Sequence, residues 1–168
     1  MTTSPAKPDA PPGAGFDPRR LHHWIAFGLG SGLAPRAPGT VGTLAAIPLY
    51  LLLALLHWSA YLGVLVILAL VGIWACERTA RDLDVDDPSA IVWDEWVGFL
   101  VTMIAAPAGW GWVLAGFLLF RVLDIWKPWP IRWADRRVGG GLGIMLDDLI
   151  AGAMAAVVIA LAAWLLGP

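Results

Sequence analysis

Four apolar stretches that contain no charged residue dominate this chain, at 41–56, 60–76, 96–120 and 149–166. Hydrophobic residues make up 59 % of the sequence and charged residues 14 %, against about 45–50 % and about 25 % in a soluble domain. Too few polar side chains remain to clothe a globular surface, so the stretches read as membrane helices. Pro107, Gly109 and Gly111 break the third stretch near its middle, which predicts a turn between helices at 91–106 and 110–126. The expected fold is therefore all-α: a polytopic integral membrane bundle of about five transmembrane helices, several shorter than the ~20 residues of a full span. The helix at 91–106 reaches that length only by including 91–95, which puts Asp94 and Glu95 on it near the interface. The alternative is a re-entrant segment, whose backbone would need protein cover.

Residues 1–20 stand apart. Five prolines, small polar residues and no apolar run predict a disordered tail ahead of a membrane-embedded domain at 21–168. The single cysteine, Cys76, excludes an internal disulfide and a CxxC redox pair. No Lys/Arg stripe of the size nucleic acid requires is present. All eleven Lys and Arg fall in the tail, at 36, at 78–81 or between 121 and 137. The turns at 57–59 and 107–109 carry none. Five alternating passes bring every cationic segment to one face, which the positive-inside rule makes cytoplasmic, with the N-terminus inside. Trp58, Trp110, Trp112 and Trp164 then form an outer aromatic belt, and Trp93, Trp96, Trp126, Trp129 and Trp133 an inner one. The amphipathic stretch 21–27 is expected on the inner surface. No internal repeat is visible, which weighs against an inverted-repeat transporter.

Three polar segments meet on that inner face. The first, GLGSGLAPRAPGTVGT at 28–43, has the glycines that let backbone N–H groups approach an anion. Arg36 adds a planar donor fork suited to phosphate, and Thr40 and Thr43 lead into the next helix. A Walker loop needs a lysine that is missing here, so a nucleoside triphosphate is not implied. In the second segment, Asp82, Asp84, Asp86 and Asp87 read as a solvated connector, whereas Asp94 and Glu95 stand at the mouth of an apolar helix, where an unpaired carboxylate is costly. The third, 120–152, sets Arg121, Asp124 and Lys127 on one helical stripe. Arg132, Asp135, Arg136 and Arg137 follow, then a flexible turn at 139–141, and Asp147 and Asp148 lead into the last helix.

Five carboxylates thus converge: Asp94, Glu95, Asp124, Asp147 and Asp148. Close together they repel unless a cation sits among them, and Mg²⁺ suits a site of carboxylates plus substrate phosphate. Asp94, Asp124, Asp147 and Asp148 are the expected ligands, with Glu95 as the candidate general base. Asp147 ranks above Asp148, which points about 100° away on a helix and toward a salt bridge with Arg136. Arg36, Arg121, Lys127 and Arg132, with Thr40 and Thr43, are the expected phosphate contacts. Zinc is disfavoured by the scatter of His22, His23 and His57. A histidine- or cysteine-nucleophile phosphatase and a Ser/His/Asp hydrolase fail for want of the nucleophile or its base on this face. Water attack on phosphorus and an aspartyl-phosphate intermediate both stay open. A carboxylate-lined cation- or proton-coupled channel or transporter is the alternative. It predicts polar residues at mid-membrane, which the first, second and last helices almost lack. A non-catalytic assembly subunit leaves the acidic and basic positions without a purpose.

At these residues the chain closely resembles the phosphatidylglycerophosphatase A family. The matching blocks are GLGSGLAPRAPGTVGTLAAIP at 28–48, SAIVWDEWVG at 89–98 and FRVLDIWKPWPIRWADRRVGGGLGIMLDDLIAG at 120–152. The resemblance implies removal of phosphate from phosphatidylglycerophosphate to give phosphatidylglycerol, with Mg²⁺, at the bacterial cytoplasmic membrane. By that likeness Asp94, Glu95, Asp124, Lys127, Asp147 and Asp148 match the family's polar motif positions, with Arg36, Thr40, Arg121 and Arg132 beside them. The expected partners are the phospholipid substrate and the bilayer. The oligomeric state is left open.

Overall fold

A computed structural model of the chain describes residues 15–166. They form seven α-helices: α1 (Leu21–Ala26), α2 (Pro38–Leu53), α3 (Trp58–Leu83), α4 (Trp93–Thr102), α5 (Trp110–Trp126), α6 (Ile131–Arg137) and α7 (Gly140–Leu166). Short 3-10 turns at Gly28–Leu33 and Met103–Ala105 link the helices. Most of the expected tail, residues 1–14, lies outside the described residues. At its described end Phe16 packs edge-on against Phe27 and Trp24, and the Asp17 N–H donates to His23 Nδ1 at 3.0 Å.

The expectation of about five full spans is corrected. Among the described residues only α3, with 26 residues, and α7, with 27, are long and apolar enough to cross a membrane. The 16 residues of α2 and 17 of α5 give about 24–26 Å at 1.5 Å per residue, short of a hydrocarbon core of about 30 Å. The third predicted span is shorter still: α4 has 10 residues before it tightens into the Met103–Ala105 turn. It packs on α2, α3, α5 and α7, and Val97, Phe99 and Leu100 are fully buried. This is the protein cover that a helix too short to span requires. Trp93 and Trp96 consequently belong to the core and not to an interfacial belt. They stack with centroids 5.5 Å apart, and the Trp93 indole donates to the Leu68 carbonyl at 3.0 Å. Outward, Leu44, Leu52, Ile67, Leu70, Leu118, Ile125, Val157 and Leu161 leave the bundle an apolar coat.

Two helices run further toward the polar end than their apolar stretches. The α3 helix continues through 77–83 because a Glu77–Arg81 pair at 2.5 Å supports its charged last turns. At Gly140, α7 begins in the glycine run expected to be a flexible turn. There the Gly141 N–H donates to the Glu77 carboxylate, supplying a partner for an orphan donor of the first turn. Asp147 and Asp148 therefore lie inside α7 and not ahead of it.

The α4–α7 contact fixes the site's frame, and glycine makes it possible. A Cβ at Gly152 would strike the Gly98 carbonyl, and one at Gly98 would lie 2.9 Å from the Asp148 carbonyl and 2.6 Å from the Phe120 ring. Backbone cannot yield as a flexible side chain can. Replacing Gly98 or Gly152 by alanine should therefore cost about 1–3 kcal/mol through overpacking. Thermal unfolding in detergent checks this: lowered midpoints are expected for G98A and G152A, whereas G63A, in open space, should leave the midpoint near wild type.

Candidate functional site

The polar ends of α2, α4, α5, α6 and α7 meet around a cavity of about 630 Å³, closed on one side by the connector that follows α3. Its lining includes Asp94, Glu95, Arg121, Asp124, Lys127, Asp147 and Asp148. All seven expected residues that serve as acids or their basic partners are therefore brought together. They arrive from three helices: the first turn of α4, the last two turns and C-cap of α5, and the second and third turns of α7.

Two carboxylate clusters share one residue. Asp94, Glu95 and Asp148 each offer an oxygen within 4.8 Å of the others, and so do Asp124, Asp147 and Asp148. Asp148 is 2 % exposed and its Oδ2 has no hydrogen-bond partner, like Asp94 Oδ1, Glu95 Oε2 and Arg121 Nε. Buried polar atoms are normally paired. Three unpaired acidic oxygens converging on one space fit a hard divalent cation with oxygen ligands.

Two cations border the clusters. Arg121 Nη1 holds Asp124 at 2.6 Å and reaches Glu95 at 3.6 Å. The pair i,i+3 along α5 was legible in the sequence. Lys127 is not part of that stripe: it caps α5 in a left-handed conformation, φ 46°, and turns to Asp147 at 2.7 Å and to Asp135. Burial works against the lysine's charge, but the hydrogen bonds it donates to Asp135 and Asp147 outweigh it and raise its pKa. Sequence reasoning missed Asp135 as a partner, because no local spacing links positions 127 and 135 across the Pro128–Pro130 break. It also treated Asp86 and Asp87 as connector residues, yet both line the cavity.

The residues expected from the glycine-rich segment lie apart from the acids. Arg36 is exposed, and Thr40 and Thr43 lie outside the cavity lining. Thr43 is fully buried and its hydroxyl donates to the Gly39 carbonyl at 2.8 Å. Gly39, at the start of α2, leaves space beside the acids. A Cβ at Gly39 would overlap Glu95 Oε1 and sit 3.1 Å from the Arg121 guanidinium. Arg132 also stands apart from the acids, in a neighbouring groove.

A third group within ligand reach of one another is His22, His23 and Asp82. Asp82 accepts from His22 at 2.6 Å and His23 at 3.2 Å and pairs with Arg20, so its charge is already met. Burial lowers the pKa of His23, and its Nδ1 is occupied by the Asp17 N–H. The group knits α1 to α3, a contact that reading 82–87 as solvated did not anticipate.

Fold and site together define a helical protein of membrane type with a polyacidic cavity at one end, bordered by cations and holding two candidate metal-ligand clusters. Residues 24–163 match the phosphatidylglycerophosphatase A family, and the chain belongs to that family. It is 51 % identical over 135 residues to the phosphatidylglycerophosphatase A of Escherichia coli (strain K12), covering 80 % of this chain and 78 % of the relative. It is 44 % identical over 147 residues to that of Haemophilus influenzae (strain ATCC 51907 / DSM 11121 / KW20 / Rd), covering 86 % and 90 %. A Bacteroides thetaiotaomicron protein provisionally described as a phosphatidylinositol-3-phosphatase is 43 % identical over 153 residues, covering 85 % and 94 %. No solved structure matches the chain.

Proposed function

We propose that the protein hydrolyses the terminal phosphomonoester of phosphatidylglycerophosphate, giving phosphatidylglycerol and inorganic phosphate. The observation that carries this is the pair of carboxylate clusters sharing buried Asp148 beside Arg121 and Lys127, in a chain of this family. Asp94, Asp124, Asp147 and Asp148 would hold Mg²⁺. When bound, the ion supplies Lewis-acid charge that offsets the charge developing on phosphoryl oxygens. Arg121 and Lys127 orient those oxygens and balance the acids around them. Glu95, whose Oε2 is unpartnered, takes the proton of the attacking water. The water oxygen bonds to phosphorus as the bond to the glycerol oxygen breaks, and a proton passes to that leaving oxygen.

The ranking of the two adjacent aspartates is reversed from the sequence expectation. Asp147 is committed to Lys127, whereas Asp148 belongs to both clusters and carries an unpaired oxygen. The test is phosphate release from phosphatidylglycerophosphate in detergent micelles, with Mg²⁺ or with chelator. Wild-type protein should be active only with the ion. D148N should lose about 10²–10³ in rate, the scale of a lost transition-state contact, and D147N less. Activity that survives chelation, or a D148N variant at wild-type rate, refutes the assignment.

The orientation proposed is a cytoplasmic site and N-terminus at the bacterial inner membrane. The absence of Lys and Arg from the turns at 57–59 and 107–109 supports it. Cysteine at Ser59 or Gly109 should label with an impermeant reagent from the periplasm, and cysteine at Ser89 only after the membrane is opened. Labelling of position 89 in intact cells contradicts this orientation.

A further inference from the structure

Beside the acidic cavity runs an aromatic groove of about 550 Å³ along α6 and the end of α5. Trp126, Trp129, Trp133, Arg132, Arg136 and Arg137 line it. The three indoles are 70 %, 81 % and 51 % exposed, which is unusual for a surface facing water alone. Indoles combine a large apolar face with a polar N–H, the combination suited to the boundary between headgroup and acyl chain. Arg132 donates to the Trp126 carbonyl at 3.4 Å. Among the described residues the guanidinium groups of Arg136 and Arg137 have no ion pair or hydrogen bond. Both also line the acidic cavity, so the two spaces adjoin and share these arginines as a common wall.

The shared arginines matter because the proposed substrate carries two phosphates. The terminal monoester belongs among the acids and their metal. The internal phosphodiester, one glycerol away, carries a negative charge that the carboxylates would repel, and the acyl chains need an apolar exit. We infer that the groove is the lipid subsite, in which Arg136 and Arg137 pair with the internal phosphodiester while Trp126, Trp129 and Trp133 flank the diacylglycerol portion. The inference rests on the hydrolysis proposed above and adds the part of the substrate that distinguishes it from a single-phosphate lipid. Such a lipid leaves both guanidinium groups unpaired. Charge complementarity and the shared arginines favour this occupant over an apolar protein segment, which would leave the cations buried without counter-charge.

The test measures steady-state phosphate release from phosphatidylglycerophosphate in neutral-detergent micelles, with inhibition by phosphatidylglycerol and by inorganic phosphate determined in parallel. In R136A/R137A, KM and the inhibition constant of phosphatidylglycerol should each rise about tenfold, as expected for losing charge-assisted hydrogen bonds at an open site. The kcat should stay within about twofold, since the reacting phosphate is held elsewhere. Inhibition by inorganic phosphate, which needs only the acidic cavity, should not change. W129A should raise KM in the same way, and R136Q/R137Q repeats the test should the alanine variants fail to fold. A wild-type protein that releases no phosphate removes the hydrolysis reading and the subsite with it. Active wild type with unchanged KM and unchanged phosphatidylglycerol inhibition in the variants overturns the subsite alone. So does a fall in kcat at constant KM, because it puts the arginines at the reacting phosphate.

Discussion

Repulsion among carboxylates at the end of an apolar bundle is the constraint on which the rest of the structure depends. Ligand oxygens in each cluster lie within 4.8 Å of one another. At an effective dielectric of about 20, two like charges at that separation repel by about 3–4 kcal/mol. Arg121 and Lys127 offset part of this, holding Asp124 and Asp147. Asp94 and Asp148 receive no such cationic partner, each keeps an unpartnered oxygen, and the two residues belong to one cluster across the α4–α7 contact. An arrangement that leaves acidic oxygens unmatched is costly unless a cation or protons offset their charge.

The fold exists to hold that arrangement rigidly. A short α4, walled in by four helices, delivers Asp94 and Glu95 from its first turn. Acids there also meet the favourable end of the helix dipole. The Gly98–Gly152 approach brings α7 close enough for Asp148 to join both clusters, and Gly39 clears the space where Glu95 meets Arg121. Tyr61 donates to the Leu100 carbonyl at 2.7 Å and Trp93 to that of Leu68. These two bonds tie α3 to the wedge that positions the acids. The long α3 and α7 carry the apolar coat.

Much of this was legible in the sequence, and the failures have physical causes. Charge-free stretches mark α2, α3, α5 and α7, and the clustering of polar residues at one end of each predicts that the five acids meet. Helix length was the weak point. Periodicity and hydropathy do not distinguish a ten-residue helix cored by its neighbours from the edge of a span, so Trp93 and Trp96 were assigned to an interface they do not reach. Glycines at 139–141 mimic a flexible turn, because the Glu77 carboxylate that lets α7 start there comes from a distant helix. Adjacent acids look equivalent in a string of letters. Only the packing of α4 on α7 makes Asp148 the shared member. Asp135 was invisible for the same reason, its link to Lys127 being tertiary.

The central claim is that this acidic site is completed by Mg²⁺, and thermal unfolding of chelator-treated protein across a Mg²⁺ titration tests it without relying on turnover. Binding at a hundred times the dissociation constant adds about 2.7 kcal/mol of stability, or about 5–10 °C for a domain of this size. The account predicts that wild-type protein gains such a shift. D148N should gain little, while matching or exceeding the metal-free midpoint of wild type because one repelling charge is gone. A wild-type midpoint indifferent to Mg²⁺, or a D148N variant with the full wild-type response, would contradict it.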